Sequence, residues 1–124
     1  MLYALLCYND EKTIEGWSKE HDDEIMSRLI SVNERLQAEK KLGPVARLSF
    51  TKSAKTLRKT REPALLLDGP FAETKEQLLG FYVVDCETEE EALSIARELA
   101  VANPGGSYEI RPVRYFMPGS GVRD

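Results

Sequence analysis

The sequence predicts an α+β fold in a single domain, and three observations carry that prediction. Strand-like apolar runs and two helical stretches alternate along the chain instead of falling into separate blocks. A length of 124 residues suits one hydrophobic core. No internal repeat, low-complexity tract or linker divides the chain, so residues 1–117 read as one unit, with 118–124 expected to be a flexible tail.

Residues 2–8, LYALLCY, read as the first strand. Residues 10–20 are polar and contain Gly16 and Trp17, which predicts an ordered loop or a loose helical turn. Over residues 22–41, Ile25, Leu29, Val32 and Leu36 recur at helical spacing, Met26 and Ile30 widen the stripe, and Gly43-Pro44 is expected to end the helix sharply. Residues 45–50 read as a strand, and 56–60 with 64–68 as a hairpin turned at Arg61-Glu62-Pro63. A further strand covers 79–86.

Thr88 with Glu91 has the spacing of a capping box, in which each side chain satisfies a free backbone N–H. Ala92, Leu93, Ile95, Ala96, Leu99 and Ala100 give the helix it opens a buried stripe. Asn103-Pro104-Gly105-Gly106 ends that helix, because proline cannot continue it and glycine tolerates the exit geometry. Residues 108–116 read as the last strand.

The resulting order, β-α-β-β(β)-β-α-β, places two helices on one face of a mostly antiparallel sheet. A sheet with one wet face alternates apolar and polar residues. Here Leu2, Ala4 and Leu6 lie opposite Tyr3, Leu5 and Cys7, and Phe81 and Val83 lie opposite Tyr82, Val84 and Cys86. Both faces are apolar, and two helices cover only one. A second copy is the simplest cover for the other, which predicts a homodimer with its sheets face to face. About five apolar side chains at ~1.5–3 kcal/mol each contribute on the order of 10 kcal/mol gross, before association costs. A ligand-filled cavity on that face is the alternative.

Seventeen basic against 21 acidic residues leave a formal charge of -4, which argues against a phosphate-backbone binder. The basic cluster Lys52, Lys55, Arg58, Lys59 and Arg61 has no aromatic residues interleaved and reads as the solvated face of a hairpin, so no nucleic-acid partner is expected. The opening apolar run is too short for a signal peptide, and no run approaches the ~18 apolar residues of a membrane helix. Cys7 and Cys86 lie in strand-like runs without metal-ligand spacing, which fits core positions in a reduced, cytoplasmic protein. A single histidine among scattered carboxylates offers no recognisable metal set, and neither a phosphate loop nor a nucleophile motif is present. The sequence calls for no metal and no organic cofactor.

The stretch Asp68-Gly69-Pro70-Phe71-Ala72-Glu73-Thr74-Lys75-Glu76-Gln77 carries most of the functional signal. An apolar run ends there in a carboxylate held by a stiff turn. Asp68 suits a general base or an acceptor that orients a histidine, with a turn aspartate accepting backbone N–H groups as the plainer reading. Gly69 and Pro70 shape the turn, and Phe71 is a hydrophobic anchor or pocket wall. Thr74 with Gln77 predicts a single helical turn over 73–77. Glu73 and Lys75 can reach a polar substrate or simply form an exposed charged turn. His21 is the only histidine, so imidazole chemistry must use it. Arg111 and Arg114 are expected on opposite sides of the last strand, with Arg111 able to bind an anionic group or pair with Asp68.

That stretch, followed by Leu79-Gly80-Phe81-Tyr82, resembles the hallmark of the DGPF branch of the YCII-related proteins. Tyr8, the Gly105-Gly106 pair and Tyr108-Glu109-Ile110-Arg111-Pro112 extend the resemblance over nearly the whole chain. It implies a ferredoxin-like fold with an extra hairpin, assembled as a dimeric α/β barrel. A His–Asp pair has been proposed as the active site in the wider group, which implies Asp68 and His21 here. The acidic surroundings of His21, Lys19-Glu20-His21-Asp22-Asp23-Glu24, depart from the better-studied histidine pattern. A relative dechlorinates a hydroxyquinol, similar barrels include muconolactone isomerases and small monooxygenases, and DGPF members lie beside or are fused to sigma factors.

Two functions are therefore expected to compete. One is a proton-transfer or lyase-type enzyme on a small polar or aromatic molecule, with Asp68 and His21 catalytic and Gly69, Pro70, Phe71, Glu73, Lys75 and Arg111 binding substrate. The other is a non-catalytic dimeric module that binds a ligand or a protein, linked to sigma-factor regulation.

Overall fold

The computed structural model describes residues 1–122. Strand β1 (Leu2–Asn9) lies inside a four-stranded sheet because large side chains alternate along it, and it pairs on both edges. β5 (Gln77–Asp85) flanks it on one side, with Leu5 opposite Tyr82, and β6 (Ser107–Pro112) on the other, with Leu5 opposite Ile110. β2 (Leu42–Arg47) completes the order β2-β5-β1-β6, and every pairing is antiparallel. Two long helices, α2 (Lys19–Ala38) and α3 (Glu89–Ala102), follow a five-residue α1 (Glu11–Glu15). This α+β architecture is compatible with a ferredoxin-like fold.

The core lies between the helices and one face of the sheet. Tyr3, Leu5, Tyr82 and Val84 from the sheet meet Ile25, Leu29 and Leu36 of α2 and Ala92, Ile95, Ala96 and Leu99 of α3. The opposite face carries Leu2, Ala4, Leu6, Phe81 and Val83, the apolar second face expected from the sequence. Among the described residues, no helix is long and apolar enough to cross a membrane.

A separate two-stranded hairpin, β3 (Lys55–Arg58) and β4 (Leu65–Asp68), holds the register Leu57 opposite Leu66 and Lys55 opposite Asp68. Its apolar side chains remain largely in solvent, with Leu57 and Leu66 each 61% exposed.

Several expected boundaries move, each for a local reason. α2 starts at Lys19, three residues earlier than the apolar stripe suggests, because the Ser18 hydroxyl accepts the His21 N–H at 3.1 Å. It also ends earlier, without help from Gly43-Pro44. Lys40 turns left-handed at φ 58°, the Lys41 N–H reaches Leu36 O at 2.9 Å and the Lys40 N–H reaches Gln37 O at 3.0 Å, which is a Schellman closure. Gly43 and Pro44 instead lie within β2, at a register shift between Leu42 and Val45. The loose segment at 10–20 contains α1, capped by Asp10, whose carboxylate accepts the Lys12 N–H at 3.1 Å.

Thr88 caps α3 as its spacing predicts, accepting the Glu91 N–H at 3.2 Å, while Glu91 reaches back to the N–H of Glu87 at 3.4 Å. Residues 73–76 form no helical turn. The Thr74 hydroxyl donates to Glu76 O and the Gln77 amide donates to Thr74 O, both at 2.6 Å, so neither side chain acts as a cap. β6 stops at Pro112 rather than 116, because its partner β1 begins at Leu2 and the Val113 N–H to Leu2 O bond is the last available. Residues 123 and 124 of the expected tail lie outside the described residues.

Candidate functional site

A cavity of about 130 Å³ opens between α2 and the helix-facing side of the sheet. Two features of the strands shape its floor. β1 and β5 slip register between Cys7 and Tyr8, which leaves Leu79 without a partner on β1. Gly80 lets β2 approach β5 closely, since a Cβ there would lie 2.6 Å from the carbonyl oxygen of Ala46. Ile25, Met26 and Leu29 of α2 supply apolar wall, with Ile14 of α1 and Val45 of β2.

Polar groups converge on this apolar space from several elements. Asp22 on the first turn of α2 accepts from the Arg47 guanidinium at 2.7 Å, and that bond holds the Asp22 carboxyl below the usual carboxylate range. Asn33 lies four residues after Leu29 and three before Leu36, so the apolar stripe of α2 carries an amide into the cavity. Asn103, at the C-cap of α3, adds a second amide. The Oδ1 atoms of both are buried and meet no protein donor. A buried amide oxygen without a partner costs about 1–3 kcal/mol.

Tyr82 and Tyr108 also line the cavity, with ring centroids 6.5 Å apart in an edge-on arrangement. Burial pushes the Cys7 thiol up from 9.0 to about 12 and the Tyr82 phenol up from 10.0 to about 12. Burial raises Tyr108 as well, and a hydrogen bond from Asn103 opposes that only in part. All three groups are uncharged near neutral pH. Trp17 forms part of the wall, and the His21 ring stands edge-on to it at 4.7 Å.

The residues singled out from sequence lie elsewhere. Asp68 ends β4, its side chain is 89% exposed, and its Oδ1 accepts from Lys55 Nζ at 2.7 Å. His21 is exposed on the first turn of α2. No hydrogen bond or ion pair joins these two, and neither lines the cavity. Gly69 adopts φ 106°, donates its N–H to Ala54 O at 2.8 Å and accepts the Thr56 hydroxyl at 2.9 Å, so it closes the base of the hairpin beside the half-buried Pro70. Phe71 is exposed with the Arg58 guanidinium 5.5 Å above its ring. Glu73 and Lys75 are exposed in the loop that follows. Arg111 is exposed on β6 opposite Ala4 and forms no ion pair with Asp68, and Arg114 falls beyond the strand. Among the described residues, no group of three His, Cys, Asp or Glu side chains is placed to hold a metal ion.

Sequence reasoning missed Asn33, Asn103 and the Asp22–Arg47 pair. Asn33 left a readable signal, a polar residue inside an apolar helical stripe. Asn103 read only as a helix terminator, and nothing local links Asp22 to Arg47, 25 residues away.

The model of the YCII-related domain matches residues 1–117. An uncharacterised protein of Rhizobium meliloti (strain 1021) is 54% identical over 120 residues, covering 96% of this chain and 97% of the relative. Both matches span the sheet, the helices and the hairpin together, and on them the chain belongs to the YCII-related domain family.

Proposed function

We propose that this chain is a small-molecule-binding module whose ligand occupies the cavity beneath α2, and that it works as a homodimer joined through the open sheet face. One observation carries the binding reading: an apolar recess receives convergent polar side chains from α2, β2, β5, α3 and β6. Mostly apolar walls with a few placed polar groups are the usual composition of a ligand site. The dimer reading rests on Leu2, Ala4, Leu6, Phe81 and Val83, which form an apolar sheet face without a helix over it. A link to sigma-factor regulation follows from the DGPF resemblance, and a binding module fits such a role without catalysis.

A thermal-shift screen on the wild type and on Leu29→Phe tests the binding reading. Leu29 is a wall residue only 7% exposed, so the larger ring fills the space. A cavity ligand raises the melting temperature of the wild type, by about 2.7 kcal/mol of stabilisation at a hundredfold excess over Kd, and fails to do so for Leu29→Phe. A shift of equal size in both proteins would place the ligand elsewhere. Sedimentation at micromolar concentration tests the dimer, and a monomeric mass rejects it.

The second reading is an acid/base enzyme using Asp68 and His21, with Gly69, Pro70, Phe71, Glu73, Lys75 and Arg111 around the substrate. The exposure of Asp68, Phe71 and the hairpin leucines favours it, because such a surface is available for a second subunit to cover and complete. Asp68→Asn abolishes turnover under this reading and leaves binding in the cavity intact under the first.

A further inference from the structure

We propose that the β3–β4 hairpin is an arm that lies against the body of a second copy of this chain. This contact rests on the homodimer reading and is separate from the open sheet face. Its first support is a lack of packing within the subunit. No residue of 55–68 belongs to the apolar cluster between the sheet and the helices, and none is among the partly buried apolar side chains packed against it. Leu57 and Leu66 stand opposite each other on one face of the hairpin, Leu65 and Leu67 lie on the other, and all four are exposed. Both outer edges of the strand pair lack a strand neighbour. A two-stranded hairpin is marginal in water and gains stability from a further strand or a surface to pack on. The bonds that hold this one gather at its base, where Gly69 N–H reaches Ala54 O, the Thr56 hydroxyl reaches Gly69 O and Lys55 pairs with Asp68.

The arm springs from one end of the sheet. The chain leaves β2 at Arg47 and rejoins the sheet on β5 at Gln77, and the Leu48 N–H to Leu79 O bond at 2.9 Å holds these two points together. Leu48 and Leu78, at that end, are exposed as well. Exposed apolar side chains thus follow one another from the sheet into the hairpin and on to Phe71. Such residues scattered singly need no cover, whereas a run of them marks an interaction site.

Charge selects a second copy as the occupant. Five of the 17 basic residues fall within residues 52–61, where there is no acidic one, so 12 basic and 21 acidic residues remain elsewhere. Among the described residues, Arg58, Lys59 and Arg61 form no ion pair. The arm is basic and the body acidic, so the arm of one copy is attracted to the body of another while two arms repel. A two-fold axis seats both arms at once, each on its partner's body.

Sedimentation equilibrium of the full chain tests the arm apart from the sheet face. The double variant Leu57→Thr/Leu66→Thr keeps residues suited to a strand and removes the apolar face. It is expected to raise the dimer dissociation constant roughly tenfold or more, with the melting temperature of the dilute chain unchanged. A wild type that sediments as a monomer overturns the homodimer reading and the arm with it. A wild-type dimer whose constant the threonine pair does not move overturns the arm alone and leaves the sheet face standing. Threonine substitution that spares the dimer and instead releases the chain from vesicles of anionic phospholipid overturns it in favour of a lipid surface. Rising salt is expected to weaken the wild-type dimer, and Arg58→Gln/Lys59→Gln/Arg61→Gln to remove most of that dependence. A dimer indifferent to salt overturns the seating of the arm on an acidic body. Photo-reactive p-benzoylphenylalanine in place of Leu66, in a mixture of isotope-labelled and unlabelled chains, gives an independent reading. Cross-links from position 66 to the other chain outside residues 51–76 are expected. Cross-links confined to one chain overturn the arm, and links from arm to arm overturn its seating on the body. That result decides the matter even if the threonine variant does not fold.

Discussion

The hairpin that carries Asp68 and the recess beneath α2 are built on opposite terms. The hairpin displays the most recognisable stretch of sequence on a surface where Leu57, Leu66 and Asp68 all face solvent. The recess is assembled from side chains of little individual distinction, brought together by the packing of α2 and α3 on the sheet. A sequence signature and a preformed polar site therefore occupy different parts of one small domain. A signature held outside the fold's own packing is available to a second chain, whereas a recess inside it can act within one subunit.

Glycine substitutions give the largest contrast. Gly80→Ala is expected to destabilise by about 3 kcal/mol or more, because the new methyl meets a backbone carbonyl that cannot move without parting β2 from β5. Gly69→Ala meets nothing within 4 Å, and only its φ of 106° counts against it, at about 1–2 kcal/mol. Urea denaturation of both variants checks the ranking, and an equal loss would mean that the hairpin is braced by a partner.

Leucine truncation applies the same comparison to packing. Leu29→Ala, in the wall, is expected to lose about 2–4 kcal/mol. Leu66→Ala is expected to cost less than about 0.5 kcal/mol in dilute solution. A loss at Leu66 that grows with protein concentration would show the hairpin buried between subunits.

Alkaline titration reaches the recess through Cys7 and Tyr82. The thiol of Cys7 and the phenol of Tyr82 have folded pKa values raised above their ordinary 9.0 and 10.0 to about 12. The unfolded chain loses these protons first, so stability is whole below pH 9 and falls between pH 9 and 12, by up to about 1.4 kcal/mol per pH unit for each group. Cys7→Ala is expected to flatten the lower part of that fall, and Leu66→Ala to leave it unchanged. A modest gain lies outside both regions: Lys40→Gly relieves a left-handed lysine at φ 58° and is expected to add about 1 kcal/mol. Thermal melts at neutral pH check its sign.

Much of this architecture was legible because it is local. The hairpin expected at 56–60 and 64–68 forms at Lys55–Arg58 and Leu65–Asp68, since two short strand-like segments on either side of the Arg61-Glu62-Pro63 turn pair locally. The cap at Thr88 was equally plain, because spacing alone specifies it. The start of α2 was obscured by its polar first turn, where Ser18 does the work that an apolar stripe cannot reveal. Gly43-Pro44 looked like a stop signal and instead falls at an irregularity in β2, because Lys40 had already closed the helix. The polar lining was harder still. Arg47, Asn103 and Asn33 come to border one recess only after the sheet order β2-β5-β1-β6 is set, and no local spacing encodes that order.

Trp17 gives this protein an optical property of its own. It is the sole tryptophan, and its indole borders the cavity with the His21 imidazole against its edge. Emission from the unlabelled chain under selective excitation therefore originates at one wall of the recess. A guest entering there changes the polarity around a single chromophore, so occupancy can be followed by intrinsic fluorescence without a tag, a dye or knowledge of the natural ligand.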